Sequence, residues 1–143
     1  MNAEMILKAK GNTVITTGPE TTVAKAVAKM QHEKIGALVV SGDGKEVAGI
    51  ITERDVLHGL AKYGAALLEK NVGDIMTCEV ITAAPSDDVD TLMGRMTQRR
   101  CRHIPVQRDG ALCGVISIGD LVKSRLEEVE REANQLRDYI TRG

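Results

Sequence analysis

Phenylalanine and tryptophan are missing from the 143 residues, leaving Tyr63 and Tyr139 as the whole aromatic complement of Phe, Tyr and Trp. The core must therefore be built from Val, Ile, Leu, Met and Ala, and any bound base would lie between aliphatic side chains. The same lack argues against a single-stranded nucleic-acid binder, which stacks bases on aromatic rings. Cysteine is scarce too: Cys78, Cys101 and Cys113 are odd in number. None has the close spacing of a zinc knuckle or a redox motif, so they read as reduced thiols and no metal is required for the fold. No stretch approaches 18 uninterrupted apolar residues, and Met1 to Lys8 lacks a long apolar run after a basic start. The expectation is a cytoplasmic protein with no membrane partner. A dominant charge sign is also lacking, with a formal net charge of −1, so no strong field draws the molecule to nucleic acid or anionic lipid.

What is present is ordinary for a globular domain, with 43% hydrophobic and 27% charged residues. The ordering is less ordinary. Gly49-Ile50-Ile51-Thr52-Glu53-Arg54-Asp55 returns, altered, as Gly114-Val115-Ile116-Ser117-Ile118-Gly119-Asp120. Placing residue 14 over residue 80 extends the match through Val14-Ile15-Thr16 over Val80-Ile81-Thr82, Pro19 over Pro85, Met30 over Met96 and Asp43-Gly44 over Asp109-Gly110. The first copy then carries one extra residue in a turn, where a repeat best tolerates an insertion. Units this small are expected to share a core.

Each unit parses as strand, helix, strand, strand, helix, an α+β fold. The first strands are Val14–Thr17 and Val80–Ala83. Val23, Ala26, Val27 and Met30 line one face of the first helix, and Val89, Leu92, Met93 and Met96 do so in the second. The strands Ala37–Ser41 with Val47–Thr52, and His103–Gln107 with Leu112–Ser117, flank Asp-Gly turns that signal hairpins. A closing helix from Val56 to about Glu69 is weakened by Gly59 and Gly64. The connector Asn71–Thr77 reads as a single helical turn docking onto the second unit, with Met5–Gly11 in the equivalent place before the first. The units are expected to span 6–70 and 71–126, with a helical extension over 127–143. After Asp120 the helical pattern runs on to about Thr141, and Val122, Leu126, Val129, Ala133, Leu136 and Ile140 recur in steps of four and three, a narrow seam suited to another helix. The alternative is that it packs on its own subunit.

The repeated corner allows two readings. Thr52 or Ser117 followed three residues later by Asp55 or Asp120 is a helix-capping signature. The same junction presents a hydroxyl, a carboxylate and free backbone N–H groups to a ligand above it. Its recurrence at matched places favours the second.

With these motifs in place, and with Ile35-Gly36-Ala37-Leu38-Val39-Val40, Asp74-Ile75-Met76-Thr77 and Arg102-His103-Ile104-Pro105-Val106 beside them, the sequence resembles a tandem pair of cystathionine-β-synthase-type (CBS) domains. This arrangement is also called a Bateman module, here of the stand-alone bacterial signal-transduction kind. The resemblance implies two pseudo-symmetric units leaving two clefts for adenine nucleotides: AMP foremost, with ADP, ATP or NAD(H) as alternatives. By position, Asp55 and Asp120 would accept from ribose hydroxyls, while Thr52 and Ser117 would meet ribose or the first phosphate. Arg102 and His103 would face phosphate in the Asp120 cleft, leaving the Asp55 cleft with Arg54 alone and the weaker affinity. Arg99 and Arg100 read as a solvated helix end. Adenine would slot among Ile15, Ile35, Gly36 and Val115 in one cleft and Ile50, Ile81 and Cys101 in the other, with Ala37 and Met76 adjoining. The resemblance further implies a homodimer and a regulatory output through a separate protein effector or through assembly.

An enzyme is a poorer fit, because His32, His58 and His103 fall at unrelated positions and no nucleophile has an identifiable base. The remaining alternative is a scaffolding or nucleic-acid partner acting through Arg95, Arg99, Arg100, Arg102 and Arg108, which the neutral overall charge disfavours.

Overall fold

The computed structural model describes residues 1–11 and 14–142. Its elements run α1 (Ala3–Lys10), β1 (Thr16–Thr17), α2 (Val23–Glu33), β2 (Ala37–Val40), β3 (Gly49–Thr52), α3 (Glu53–Tyr63), a 3₁₀ segment (Gly64–Glu69), α4 (Val72–Ile75), α5 (Val89–Arg99), β4 (His103–Arg108), β5 (Ala111–Ser117) and α6 (Ile118–Arg142). The mixed α+β order is the one the repeat implies. The closing helix starts at Glu53, earlier than expected, because Thr52 caps it. It ends at Tyr63, where Gly64 takes a positive φ and a 3₁₀ turn follows.

In the first unit β1 runs parallel to β2, and β2 antiparallel to β3. The second unit keeps the β4–β5 hairpin, but its predicted first strand, Val80–Ala83, is reduced to one parallel bridge between Ala83 and Val106. The cause is Pro105. Ala83 donates to the Pro105 carbonyl and Gln107 donates to the Ala83 carbonyl, both at 2.9 Å. The next rung back would need an N–H from residue 105, which proline lacks. Val39 stands at the matched place in the first unit, and there the parallel pairing reaches Thr16.

The lead-in segments pack the opposite way from the expectation. The connector α4 joins the first unit: Val72 shares a core with Ala26, Met30, Leu38, Val40 and Ile51, with Ile75 and Met76 against it. Helix α1 joins the second, where Ala3, Ile6 and Leu7 pack with Ala83, Val89, Leu92, Met96, Ile104, Val106, Ile116 and Leu121. Matched backbone bonds fix both placements. Val72 and Gly73 donate to Thr21 and Pro19, as Ala3 and Glu4 donate to Asp87 and Pro85. The two halves thus form two cores, each completed by a helix that precedes the other unit, instead of the single shared core expected.

Space for these crossings is made at the repeated glycines. A Cβ on Gly114 would lie 2.5 Å from the Leu7 side chain, and one on Gly49 would lie 2.7 Å from Met76 Sδ and 2.8 Å from the Thr77 carbonyl oxygen. Helix α6 buries Leu121 and Ser124 against the second unit and then stands clear of it. Val122, Leu126, Val129, Leu136 and Ile140 are all exposed. No helix is long and apolar enough to cross a membrane among the described residues.

Candidate functional site

A cleft of about 450 Å³ lies at the seam of the two units. The first unit contributes Gly36, Ile50, Thr52, Glu53, Arg54 and Asp55. The connecting chain brings Thr77, Glu79, Val80 and Ile81, and the second unit brings Arg99, Arg100, Cys101, Arg102 and His103.

The acid is held in place by local chemistry. Asp55 Oδ2 accepts from the Thr52 amide at 2.9 Å and the Thr52 hydroxyl at 3.1 Å, while Thr52 Oγ1 accepts from the Asp55 amide at 3.2 Å. The capping reading is therefore correct for this corner, and it does not close the site. Among the described residues Asp55 Oδ1 accepts only from the Thr77 hydroxyl, at 3.0 Å and exposed, so a ligand hydroxyl can compete for that oxygen. Thr77 is there because its backbone pairs with Ile50 across the edge of β3, at 2.9 and 2.8 Å.

The basic residues come from the end of α5. Arg100 adopts a left-handed conformation, φ 53°, and stops the helix while its amide donates to the Met96 carbonyl. A non-glycine residue there costs on the order of 1 kcal/mol, and the turn it makes lays Arg99, Arg100 and Arg102 around the cleft mouth. Arg54 reaches across from α3 to the Arg100 carbonyl at 3.3 Å. Four arginines thus line the cleft together with Glu53, Asp55 and Glu79. Among the described residues, no ion pair engages Arg99, Arg100 or Arg102. Burial holds the His103 imidazole below its ordinary value, against the pull of nearby Glu53 and with help from Lys10; Asp120 opposes the shift and Arg102 adds to it. Burial also pushes the Cys101 thiol up, so it behaves as an apolar wall.

This distribution differs from the sequence expectation. Arg102 and His103 line the Asp55 cleft, so the basic groups stand opposite the acid expected to have Arg54 alone. Gly36, expected in the other cleft, lies here as well, beside Ile50, Ile81 and Cys101. Arg99 and Arg100, read as solvated, and Glu53, Thr77, Glu79 and Val80 are lining residues that were not among the expected site residues. The run Arg99-Arg100-Cys101-Arg102 straight after a helix was the available signal.

The other expected residues lie apart from this cleft. Ile15, Ile35 and Met76 pack against the first core, and Ala37 is buried in β2. At the second corner, Ser117 and Asp120 repeat the cap: the Ser117 amide donates to Asp120 Oδ2 at 2.9 Å and Ser117 Oγ accepts from the Asp120 amide at 3.2 Å. There the Lys10 ammonium donates to Asp120 Oδ2 at 2.7 Å and to the Val115 carbonyl at 2.9 Å. Burial works to raise the Asp120 carboxyl, but the bonds from Lys10 and Ser117 and the Lys10 charge outweigh it and hold the group below the ordinary carboxylate range.

Two β-α-β-β-α units with exchanged lead-in helices and a cleft at their seam define a tandem-repeat α+β module. The CBS domain family profile matches residues 12–62 and 72–127. The CBS domain-containing protein CBSX3, mitochondrial, of Arabidopsis thaliana is 39% identical over 96% of this chain and 71% of its own length. The crystal structure of the CBS-domain containing protein ATU1752 from Agrobacterium tumefaciens superposes with a TM-score of 0.84 at 42% identity, covering 87% of this chain and 99% of that one. The CBS domain pair of protein MJ0100, solved in complex with 5′-methylthioadenosine and S-adenosyl-L-methionine, gives a TM-score of 0.76 at 26% identity over 88% of this chain and 98% of that one. This chain belongs to the CBS domain family, as a tandem pair.

Proposed function

We propose that the chain is a non-catalytic regulatory module that binds an adenine nucleotide in the Asp55 cleft. One observation carries the reading: an acid with an exposed oxygen, an aliphatic slot and a ring of guanidinium groups converge at one seam. In this arrangement adenine lies among Ile50, Val80, Ile81 and Cys101, and ribose hydroxyls donate to Asp55. The phosphate meets Arg99, Arg100, Arg102 and Arg54, whose planar forks match its oxygens. AMP satisfies all three contacts, and ADP, ATP and NAD(H) share them. The adenosine ligands of MJ0100 support the same class.

Output passes through a second copy and an effector. The exposed seam of α6 would bury itself in a parallel pair with the same helix of another chain. In that register Arg125 faces Glu130 of the other copy and Glu132 faces Arg137, whereas antiparallel pairing sets Glu against Glu.

The test is mass spectrometry of whatever leaves the heat-denatured protein, followed by calorimetric titration with AMP, ADP, ATP and NAD. Asp55→Ala is expected to weaken binding about 10- to 100-fold, from the loss of charge-assisted hydrogen bonds of roughly 1.5–3 kcal/mol. Unchanged affinity in that variant, or weak binding to RNA that collapses with salt in place of nucleotide binding, would overturn the assignment.

A further inference from the structure

The side chains that close the base slot, Ile50, Val80, Ile81 and Cys101, offer a base no strong hydrogen-bonding group, so what can read its edge there is main chain. In a full parallel ladder Ile81 would donate to the His103 carbonyl and accept from the amide of residue 105, one step back from the bonds that Ala83 makes to Pro105 and receives from Gln107. Pro105 has no N–H, and the pairing ends at Ala83. Among the described residues no backbone hydrogen bond reaches the Ile81 N–H or carbonyl. The Arg95 guanidinium bonds the carbonyl of the following residue, Thr82, at 3.4 Å. Ile81 and His103, which a further rung would have joined, both line the cleft, so the space between them is cleft and not sheet. The unclaimed carbonyl of Ile81 borders the slot. The first unit has Val39 at the matched place, with an N–H to give, and its pairing runs back to Thr16.

From this we propose that Pro105, buried and outside the cleft lining, sets the base selectivity of the site: by withholding an N–H it keeps the Ile81 carbonyl free to accept from the 6-amino group of adenine. The inference rests on the nucleotide reading of the Asp55 cleft and deepens it. A 6-oxo purine brings an acceptor to the same place, oxygen against oxygen, and leaves the carbonyl unpaired. The cleft therefore takes 6-amino purine nucleotides and refuses 6-oxo ones.

AMP and IMP share ribose and phosphate and differ at the base edge, so calorimetric titration of the full chain with both separates base reading from the rest of the site. The wild type is expected to bind IMP about 10- to 100-fold more weakly than AMP, because the carbonyl is left unsatisfied. Pro105→Val supplies the residue that the first unit carries at this place, and Pro105→Ala supplies the same N–H should the valine variant fold poorly. Either is expected to show a slowly exchanging amide at residue 105 by NMR, with IMP affinity unchanged and AMP affinity reduced to within about threefold of it. Equal affinities for AMP and IMP in the wild type would overturn the inference and leave the nucleotide reading standing. A protected amide at residue 105 with the AMP preference intact would do the same, as would an unprotected amide in both variants, since the proline would then not be what ends the pairing. No binding of either nucleotide to the wild type at millimolar supply would remove both.

Discussion

Gly49→Ala is the change that most directly joins the stability of this fold to its site. The new methyl group would sit 2.8 Å from the Thr77 carbonyl and 2.7 Å from Met76 Sδ. The methionine can swing aside, but the carbonyl can yield only by loosening its pairing with Ile50, where two backbone bonds of 2.9 and 2.8 Å meet. Two such bonds are worth about 2 kcal/mol, and forcing a methyl group into a filled space adds about 1–2 kcal/mol. Replacing glycine within a strand returns about 0.5–1 kcal/mol. The net expected loss is about 2–3.5 kcal/mol, a fall in Tm of roughly 6–14 °C for a domain of this size. Urea unfolding followed by circular dichroism reads the first quantity. AMP titration reads a second effect, because Thr77 also donates to Asp55 and lines the cleft. Gly114→Ala is the control: its clash is with the Leu7 side chain, so it should destabilise without touching AMP affinity. If Gly49→Ala came within about 0.5 kcal/mol of wild type, the close crossing at β3 would not be the constraint described.

His103 should make nucleotide affinity depend on pH. Its imidazole titrates below the ordinary value of about 6.5, chiefly because it is buried. A phosphate beside it raises that value, so binding takes up a proton and strengthens as pH falls from about 7.5 to 6. His103→Gln should flatten this part of the profile in calorimetry at several pH values, and an unchanged slope would remove His103 from the site. The stability sign is opposite: below about 6.5 the unfolded chain protonates first, so the wild type loses stability on acidification and the Gln variant loses less. For the tail helix, a chain ended after Glu127 should sediment as a monomer at concentrations where the full chain is a dimer, with its thermal unfolding little altered because Leu121 and Ser124 remain. A truncated chain that stayed dimeric would place the interface elsewhere.

The repeat was readable because its punctuation is local. Pro19 and Pro85, the Asp-Gly turns and the hydroxyl-to-acid corners each act within a few residues, and the hairpins and helix starts follow from them. What could not be read were choices between two equivalent places. Ile6 and Leu7 would satisfy either core, and so would Val72 and Ile75; spacing along a helix says which face is apolar, not which unit receives it. Arg102 lines the other corner from the one expected, for a related reason. His103 pairs with Ser117 in the hairpin, which makes the second corner its backbone neighbour. The cleft, however, joins the strand entrances of one unit to the acid of the other. The loss of the first strand in the second unit was legible in principle, since Pro105 stands where a donor is required.

The exchange of α1 and α4 means that the boundary between repeats is not a place where the molecule can be divided. A fragment of residues 1–70 would carry a helix whose seat lies on the missing half, and would lack the turn that caps its own sheet. Such a fragment could fill both vacancies only by meeting another of its kind and trading helices with it.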